Sequence, residues 1–187
     1  MNPDNLRSIR YPKVPKAWDQ RFLYLAASVA AWSKDPSTKV GAVAVRQRRV
    51  LATGYNGLPV GMVDSAERLL DRNVRLALTI HAELNLVTFA ARHGVCLEGA
   101  TVYTYPLLPC SNCATSLIQV GIAKVVSPDF VMPMRWQASI EQARTAFTEA
   151  GVAIELLPIE GPLHLAAASS PDRDDAEETE DAHLRLV

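Results

Sequence analysis

His81, Glu83, Cys110 and Cys113 are the residues of this chain whose types and spacing could do chemistry. They stand in two short stretches, His81-Ala82-Glu83-Leu84-Asn85 and Pro109-Cys110-Ser111-Asn112-Cys113. One imidazole and two thiolates are donors that suit zinc, and a catalytic zinc site commonly takes three protein ligands and leaves the fourth position to water. Glu83, two residues after His81, is too close to be a comfortable fourth ligand but well placed to reach that water. Order and spacing follow the H-x-E…P-C-x-x-C pattern, in which the glutamate serves as general acid/base and is not a ligand. Zinc on such a site lowers the pKa of its water towards neutrality. A carboxylate beside it can carry a proton to a ring nitrogen and then to a departing amine. The chemistry this suits is hydrolytic removal of an amino group from a heterocycle.

Each residue also has a plainer reading. The cysteine pair alone could be a structural zinc knuckle or a redox pair, but a closed structural site needs a fourth protein ligand. Cys96 is the one further cysteine in the sequence, and His93 belongs to a helix already assigned. A lone histidine is more often a core residue, and a lone glutamate a solvated one. It is the combination with the proline-flanked pair that outweighs these readings. Cys96 itself reads as a small buried hydrophobe.

Two helix starts must position the four residues. Leu84, Val87, Ala90 and Ala91 give the stretch 81–92 one expected buried stripe, and Gly94 suits its C-terminal cap. Ser111 to Val120 reads as a second helix with Cys113 in its first turn. Both N-termini would aim at one point, where the helix dipoles favour thiolate. Around them, Pro15 opens a helix with an apolar period from Trp18 to about Ser33. The Lys34-Asp35-Pro36-Ser37-Thr38 stretch ends it. Val40–Val45 and Val50–Tyr55 read as a hairpin joined by the basic turn Arg46-Gln47-Arg48-Arg49. Ala66–Leu78 permits a helix, Ala100–Tyr105 is a strand, and Val125-Val126 belongs to a short one. Trp136–Ala150 is a helix and Val152–Leu157 a last strand. Strands alternating with helices imply an α/β fold, a sheet between helical layers with a hairpin at its start.

The 187 residues suffice for one domain with a sizeable core, expected over 15–160. Residues 1–14 read as an irregular arm. From about residue 165 the chain turns polar, with seven Asp or Glu between Asp172 and Asp181, and reads as a disordered acidic tail. A formal net charge of -1 argues against a nucleic-acid or membrane partner. The longest apolar run, Phe22 to Trp32, is too short to span a bilayer, and the polar N-terminus is no secretory signal. Two metal-binding cysteines and an unpaired third fit a reducing, cytoplasmic compartment.

The chain resembles the zinc-dependent cytidine/deoxycytidylate deaminase superfamily, most closely the deoxycytidylate (dCMP) deaminases, over about Trp18 to Pro158. Besides the two metal motifs, the resemblance rests on Asp35-Pro36-Ser37-Thr38-Lys39-Val40-Gly41-Ala42 and Gly54-Tyr55-Asn56-Gly57-Leu58-Pro59. It implies a three-layer α/β/α cytidine-deaminase-like fold with a five-stranded mixed sheet, and a homo-oligomer. By it, His81, Cys110 and Cys113 bind Zn2+ and Glu83 shuttles protons. Asn56 hydrogen-bonds the sugar of a small nucleotide substrate, and Val40, Gly41 and Ala42 line the base pocket. The loop with Lys34, Ser37 and Thr38 offers a lysine, two hydroxyls and free backbone amides, a seat for phosphate. The match departs at Leu108, where the family has an aromatic, at a link before Pro109 one residue longer than usual, and at Val60, where relatives carry a basic residue. The expected reaction is dCMP to dUMP. Its rivals are deamination of another cytosine nucleoside or nucleotide, deamination of tRNA adenosine, which would want a basic surface, and a non-catalytic zinc-stabilised module, against which Glu83 argues.

Overall fold

The computed structural model describes residues 17–130 and 133–159. The expected arm (1–14), the helix start at Pro15 and the expected acidic tail (165–187) lie outside the described residues. Five strands form one mixed sheet: β1 (Gly41–Arg46), β2 (Arg49–Tyr55), β3 (Thr101–Tyr105), β4 (Lys124–Pro128) and β5 (Ala153–Leu157), in the order β2-β1-β3-β4-β5. β1 is antiparallel to β2 and to β3, whereas β3, β4 and β5 are parallel. The two directions follow from the connections. A two-residue turn can join only antiparallel strands, and parallel neighbours need a crossover helix. The helices are α1 (Trp18–Ala30), α2 (Ala66–Leu70), α3 (Arg72–Leu78), α4 (Ala82–Arg92), α5 (Ser111–Gln119) and α6 (Met134–Glu149).

Side chains alternate across each strand, so the sheet feeds two cores. Val43, Val45, Tyr103, Tyr105 and Val126 meet Phe22, Leu23, Ala26 and Val29 of α1. Ala42, Ala44, Val102 and Val125 face the other way and pack with Leu86 of α4, Leu117 of α5 and Phe147 of α6. This is the three-layer α/β/α arrangement expected. The α1 layer is also tied by polar contacts: Tyr103 donates to Asp19 at 2.5 Å, and Lys124 pairs with Asp19 at 3.6 Å and with Glu155.

Several local expectations need correction. α1 ends at Ala30, short of Ser33. The stretch 66–78 is two helices, because Asp71 turns out of helical conformation and its side chain caps α3 by accepting from Val74 N–H at 3.0 Å. In α4 the buried residues are Ala82, Glu83, Leu86 and Ala90, while Leu84 and Ala91 are exposed. Both stripes fit a 3.6-residue period; contact with the sheet decides between them. Cys96 is exposed, not buried. It lies in the turn after Gly94, where Leu97 makes the inward contact and Arg46 holds the Cys96 carbonyl at 3.3 Å.

Two glycines set the spacing of the layers. A Cβ at Gly54 would lie 2.2 Å from the Ala82 carbonyl oxygen and 2.5 Å from the Leu86 nitrogen. A Cβ at Gly41 would meet Ala26 O at 2.2 Å and Ala30 N at 2.5 Å. Bare backbone therefore seats α4 on β2 from one side of the sheet and α1 on β1 from the other.

Candidate active site

The four residues singled out above converge at the N-termini of α4 and α5. His81 is the N-cap of α4 and Cys110 the N-cap of α5, both extended in backbone, and Cys113 sits in the first turn of α5. The approach to His81 is pinned by a reciprocal pair of backbone bonds, Gly57 N–H to Ile80 O at 3.1 Å and Ile80 N–H to Gly57 O at 2.9 Å. Asn85 Nδ2 donates to Tyr55 O at 2.9 Å and fastens the first turns of α4 to the end of β2. On the other side, Ser111 N–H donates to Ser139 Oγ at 3.0 Å, which anchors the start of α5 to α6.

His81 Nδ1 lies 3.5 Å from Cys110 Sγ and 3.5 Å from Cys113 Sγ, and the three donor atoms all fall within 4.8 Å of one another. A tetrahedral site with Zn–N near ~2.05 Å and Zn–S near ~2.3 Å has an N···S edge of about 3.6 Å. The donor set thus fits zinc in both chemistry and spacing. Exposure falls from His81 through Cys110 to the buried Cys113, which leaves one side of the set open.

Glu83, in the first turn of α4, is 4% exposed. Burial pushes its carboxyl above the usual carboxylate range. The two thiols polarise each other. The Cys113 and His81 side chains beside it bring Cys110 down to about 4, while the neighbouring Cys110 and burial push Cys113 up. The hydrogen bond to Cys110 raises His81. The arrangement holds thiolate character at Cys110 and a proton-accepting carboxyl beside it.

The remaining expected site residues divide. Asn56 is buried, and its side chain clasps the entry to β1: Oδ1 accepts from Val40 N–H at 2.8 Å and Nδ2 donates to Thr38 O at 2.8 Å. One amide hydrogen is left over. Val40 and Ala42 pack in the core that holds α4 and α5. Gly41 does not join them; its side-chain position faces α1, as the strand alternation requires. In the 34–38 loop the backbone amides of Ser37 and Thr38 are not free for phosphate, because Asp35 Oδ1 accepts both, at 2.8 and 3.0 Å. An aspartate commonly bonds backbone N–H groups two residues on in this way. Lys34 pairs with Asp64 at 2.7 Å, and Ser37 Oγ accepts from Arg75 Nη2 at 2.9 Å.

Sequence reasoning missed three contributors. Arg75, on α3, reaches back to Ser37 and lies 3.7 Å from Asp35, and nothing local in the sequence announces it. Ser33, fully enclosed, donates to Asn56 O at 2.8 Å. Asp35 was readable, since Asp-Pro-Ser-Thr is a turn signature with a capping oxygen at its head.

Residues 16–128 match the family model for the cytidine and deoxycytidylate deaminase zinc-binding region. An uncharacterized deaminase of Aliivibrio fischeri is 41% identical over 147 residues, covering 76% of this chain and 95% of its own length. The deoxycytidylate deaminase of Homo sapiens is 34% identical over 145 residues, 72% of this chain and 76% of that protein. The crystal structure of the dCMP deaminase of cyanophage S-TIM5 in complex with dCMP and dUMP superposes with a TM-score of 0.55 at 22% identity, over 84% of this chain and 99% of that one, and shares its fold. The chain belongs to the cytidine and deoxycytidylate deaminase family.

Proposed function

We propose that this protein is a zinc-dependent hydrolase that converts dCMP and water to dUMP and ammonia. The observation that carries the reading is the meeting of His81, Cys110 and Cys113 at tetrahedral spacing, with Glu83 buried two residues beyond His81. A zinc ion held by His81 Nδ1 and the two sulfurs would supply a Lewis acid and lower the pKa of water in the open position towards about 7. Glu83 takes the proton from the attacking water, carries it to the ring nitrogen next to the amino-bearing carbon, and delivers a proton to the departing amine. Its burial serves this role, since a carboxyl that gains a proton easily can act as base and then as acid. Val40 and Ala42 contribute to the wall of the base pocket, and the spare Asn56 amide hydrogen meets the sugar. Lys34, with the hydroxyls of Ser37 and Thr38, meets the phosphate, now without help from the loop's capped amides.

The choice of dCMP is supported by the curated relatives named deoxycytidylate deaminase, of which the human protein aligns over most of both chains. The test is ammonia release from a panel of dCMP, CMP, deoxycytidine, cytosine and tRNA. Preference for dCMP supports the reading. Efficient release from tRNA or from the free nucleoside replaces it, and release from none of them would leave a zinc-stabilised binding module.

A cytoplasmic setting is part of the proposal, because Cys96, Cys110 and Cys113 are all free thiols and zinc needs the latter two reduced. Among the described residues no helix is long and apolar enough to cross a membrane. We also place the chain in a homo-oligomer, supported by α2 and α3, none of whose residues is more than half-buried among the described residues.

A further inference from the structure

The α1 face carries a cationic, aromatic surface that the deaminase reading does not use. Trp18 is 42% exposed and stacks on Phe22 with ring centroids 5.8 Å apart. Two guanidinium groups sit over its ring, Arg21 at 4.8 Å and Arg48 at 5.1 Å from the centroid. Arg48 comes from the β1–β2 turn, and the next residue, Arg49, is exposed beside it. That turn is unusual in its own right. Gln47 and Arg48 occupy left-handed backbone at φ 52° and 61°, positions that in a two-residue hairpin normally go to Asn and Gly. Backbone held in a sparsely populated region marks places where function, and not folding alone, has chosen the residue. Here the conformation delivers a guanidinium onto an exposed indole.

We propose that this surface is a seat for a polyanionic peptide, and that its occupant is the protein's own segment Asp172–Asp181. Charge complementarity is the first argument: seven carboxylates stand in that segment against the single Arg173. The point of departure is the second. Ile159, where the described chain ends, packs against the α1 core that contains Phe22, the ring on which Trp18 stacks. The last described residue therefore lies on the face that carries the seat. Reach is the third. The residues between Ile159 and Asp172 span up to about 40 Å extended, and α1 is only about 20 Å long. A tethered segment works at an effective concentration near millimolar, so weak individual contacts suffice. The interaction is electrostatic, made by the guanidinium groups that Trp18 holds in place, and it covers the basic surface that nucleic acid would otherwise find.

The test uses the full-length, zinc-loaded chain and a fluorescein-labelled peptide with the sequence of residues 166–187. A tail-neutralised variant replaces Asp172, Asp174, Asp175 and Asp181 by Asn and Glu177, Glu178 and Glu180 by Gln. At low salt this variant should bind the peptide at least tenfold more tightly than the natural chain, whose seat is already filled. Adding Arg48→Glu with Arg49→Glu should abolish the gain; Arg48→Gln with Arg49→Gln, which removes charge with less disturbance, should reduce it. Raising salt should erase the difference. Equal binding by the natural and tail-neutralised chains overturns the proposal, as does peptide binding that ignores the arginine substitutions. A single-stranded oligonucleotide bound by the natural chain as tightly as by the neutralised one would show that nucleic acid, not the acidic segment, takes the seat.

Discussion

Cutting back Glu83 while leaving His81, Cys110 and Cys113 in place separates proton transfer from metal binding. Glu83→Ala should keep one zinc per chain by metal analysis and lose about 10²-fold or more in ammonia release from dCMP. Stoichiometric loss of zinc would instead make Glu83 a ligand. The phosphate contacts are open to a similar dissection. Charge-assisted hydrogen bonds contribute roughly 1.5–3 kcal/mol each, so Lys34→Ala with Ser37→Ala should cost about tenfold to a hundredfold in kcat/KM on dCMP. The same double variant should leave the weaker turnover of deoxycytidine nearly unchanged, and a fall in both would point to misfolding. These residues differ in how far the sequence exposes them. A metal demands particular donors at short spacings, so the ligand motif survives as a readable string. The 34–38 loop looked open because its partners are remote. Asp35 caps the amides only once the turn is formed, and Arg75 arrives from 38 residues away.

Where helices meet sheet, the glycine contacts tie element packing to the site. Gly54→Ala pushes a methyl group against the Ala82 carbonyl and the Leu86 nitrogen, backbone atoms that cannot swing aside, so α4 must shift as a unit. Overpacking of this kind costs typically 1–3 kcal/mol. His81 and Glu83 ride on that helix, so we expect both a lower urea midpoint and weaker zinc retention against a chelator. Gly41→Ala, which presses on α1 through an equally short contact, should lower the midpoint by a similar amount while the folded fraction keeps its zinc. Equal zinc loss in the two variants would mean that general destabilisation, not the seating of α4, controls the site. The comparison also shows what a hydrophobic period can and cannot say. It located α4 between the right residues, yet chose Leu84 and Ala91 for the core, because which face turns inward depends on where the sheet offers bare backbone. Cys96 was misread for a related reason: its neighbours Val95 and Leu97 take the inward positions of that turn.

At the scale of the subunit, the described residues leave an apolar surface uncovered. Val60 is 91% exposed, and Val63, Leu70 and Leu76 follow it along the segment that leads into α4. α2 and α3 are five and seven residues long, too short to persist in water without packing. Their caps at Ser65 and Asp71 and the Arg75 contacts orient them, but no apolar side chain of either is buried. We propose that a second copy of the chain supplies the missing packing; a stable interface needs about 800 Å² from each partner. This feature was half legible: the mixture of leucine and charge from 66 to 78 made a poor amphipathic pattern because its apolar residues serve no internal core. Leu70→Asp with Leu76→Asp should therefore shift the sedimentation coefficient of the natural protein down to that of a single chain at micromolar concentration. Since α3 runs directly into Ile80 and His81, the dissociated variant should also release zinc to a chelator faster. A natural chain that sediments as one subunit across that range would sink the idea. So would a double variant whose assembly is unchanged, which would move the interface elsewhere and leave α2 and α3 standing on their caps alone.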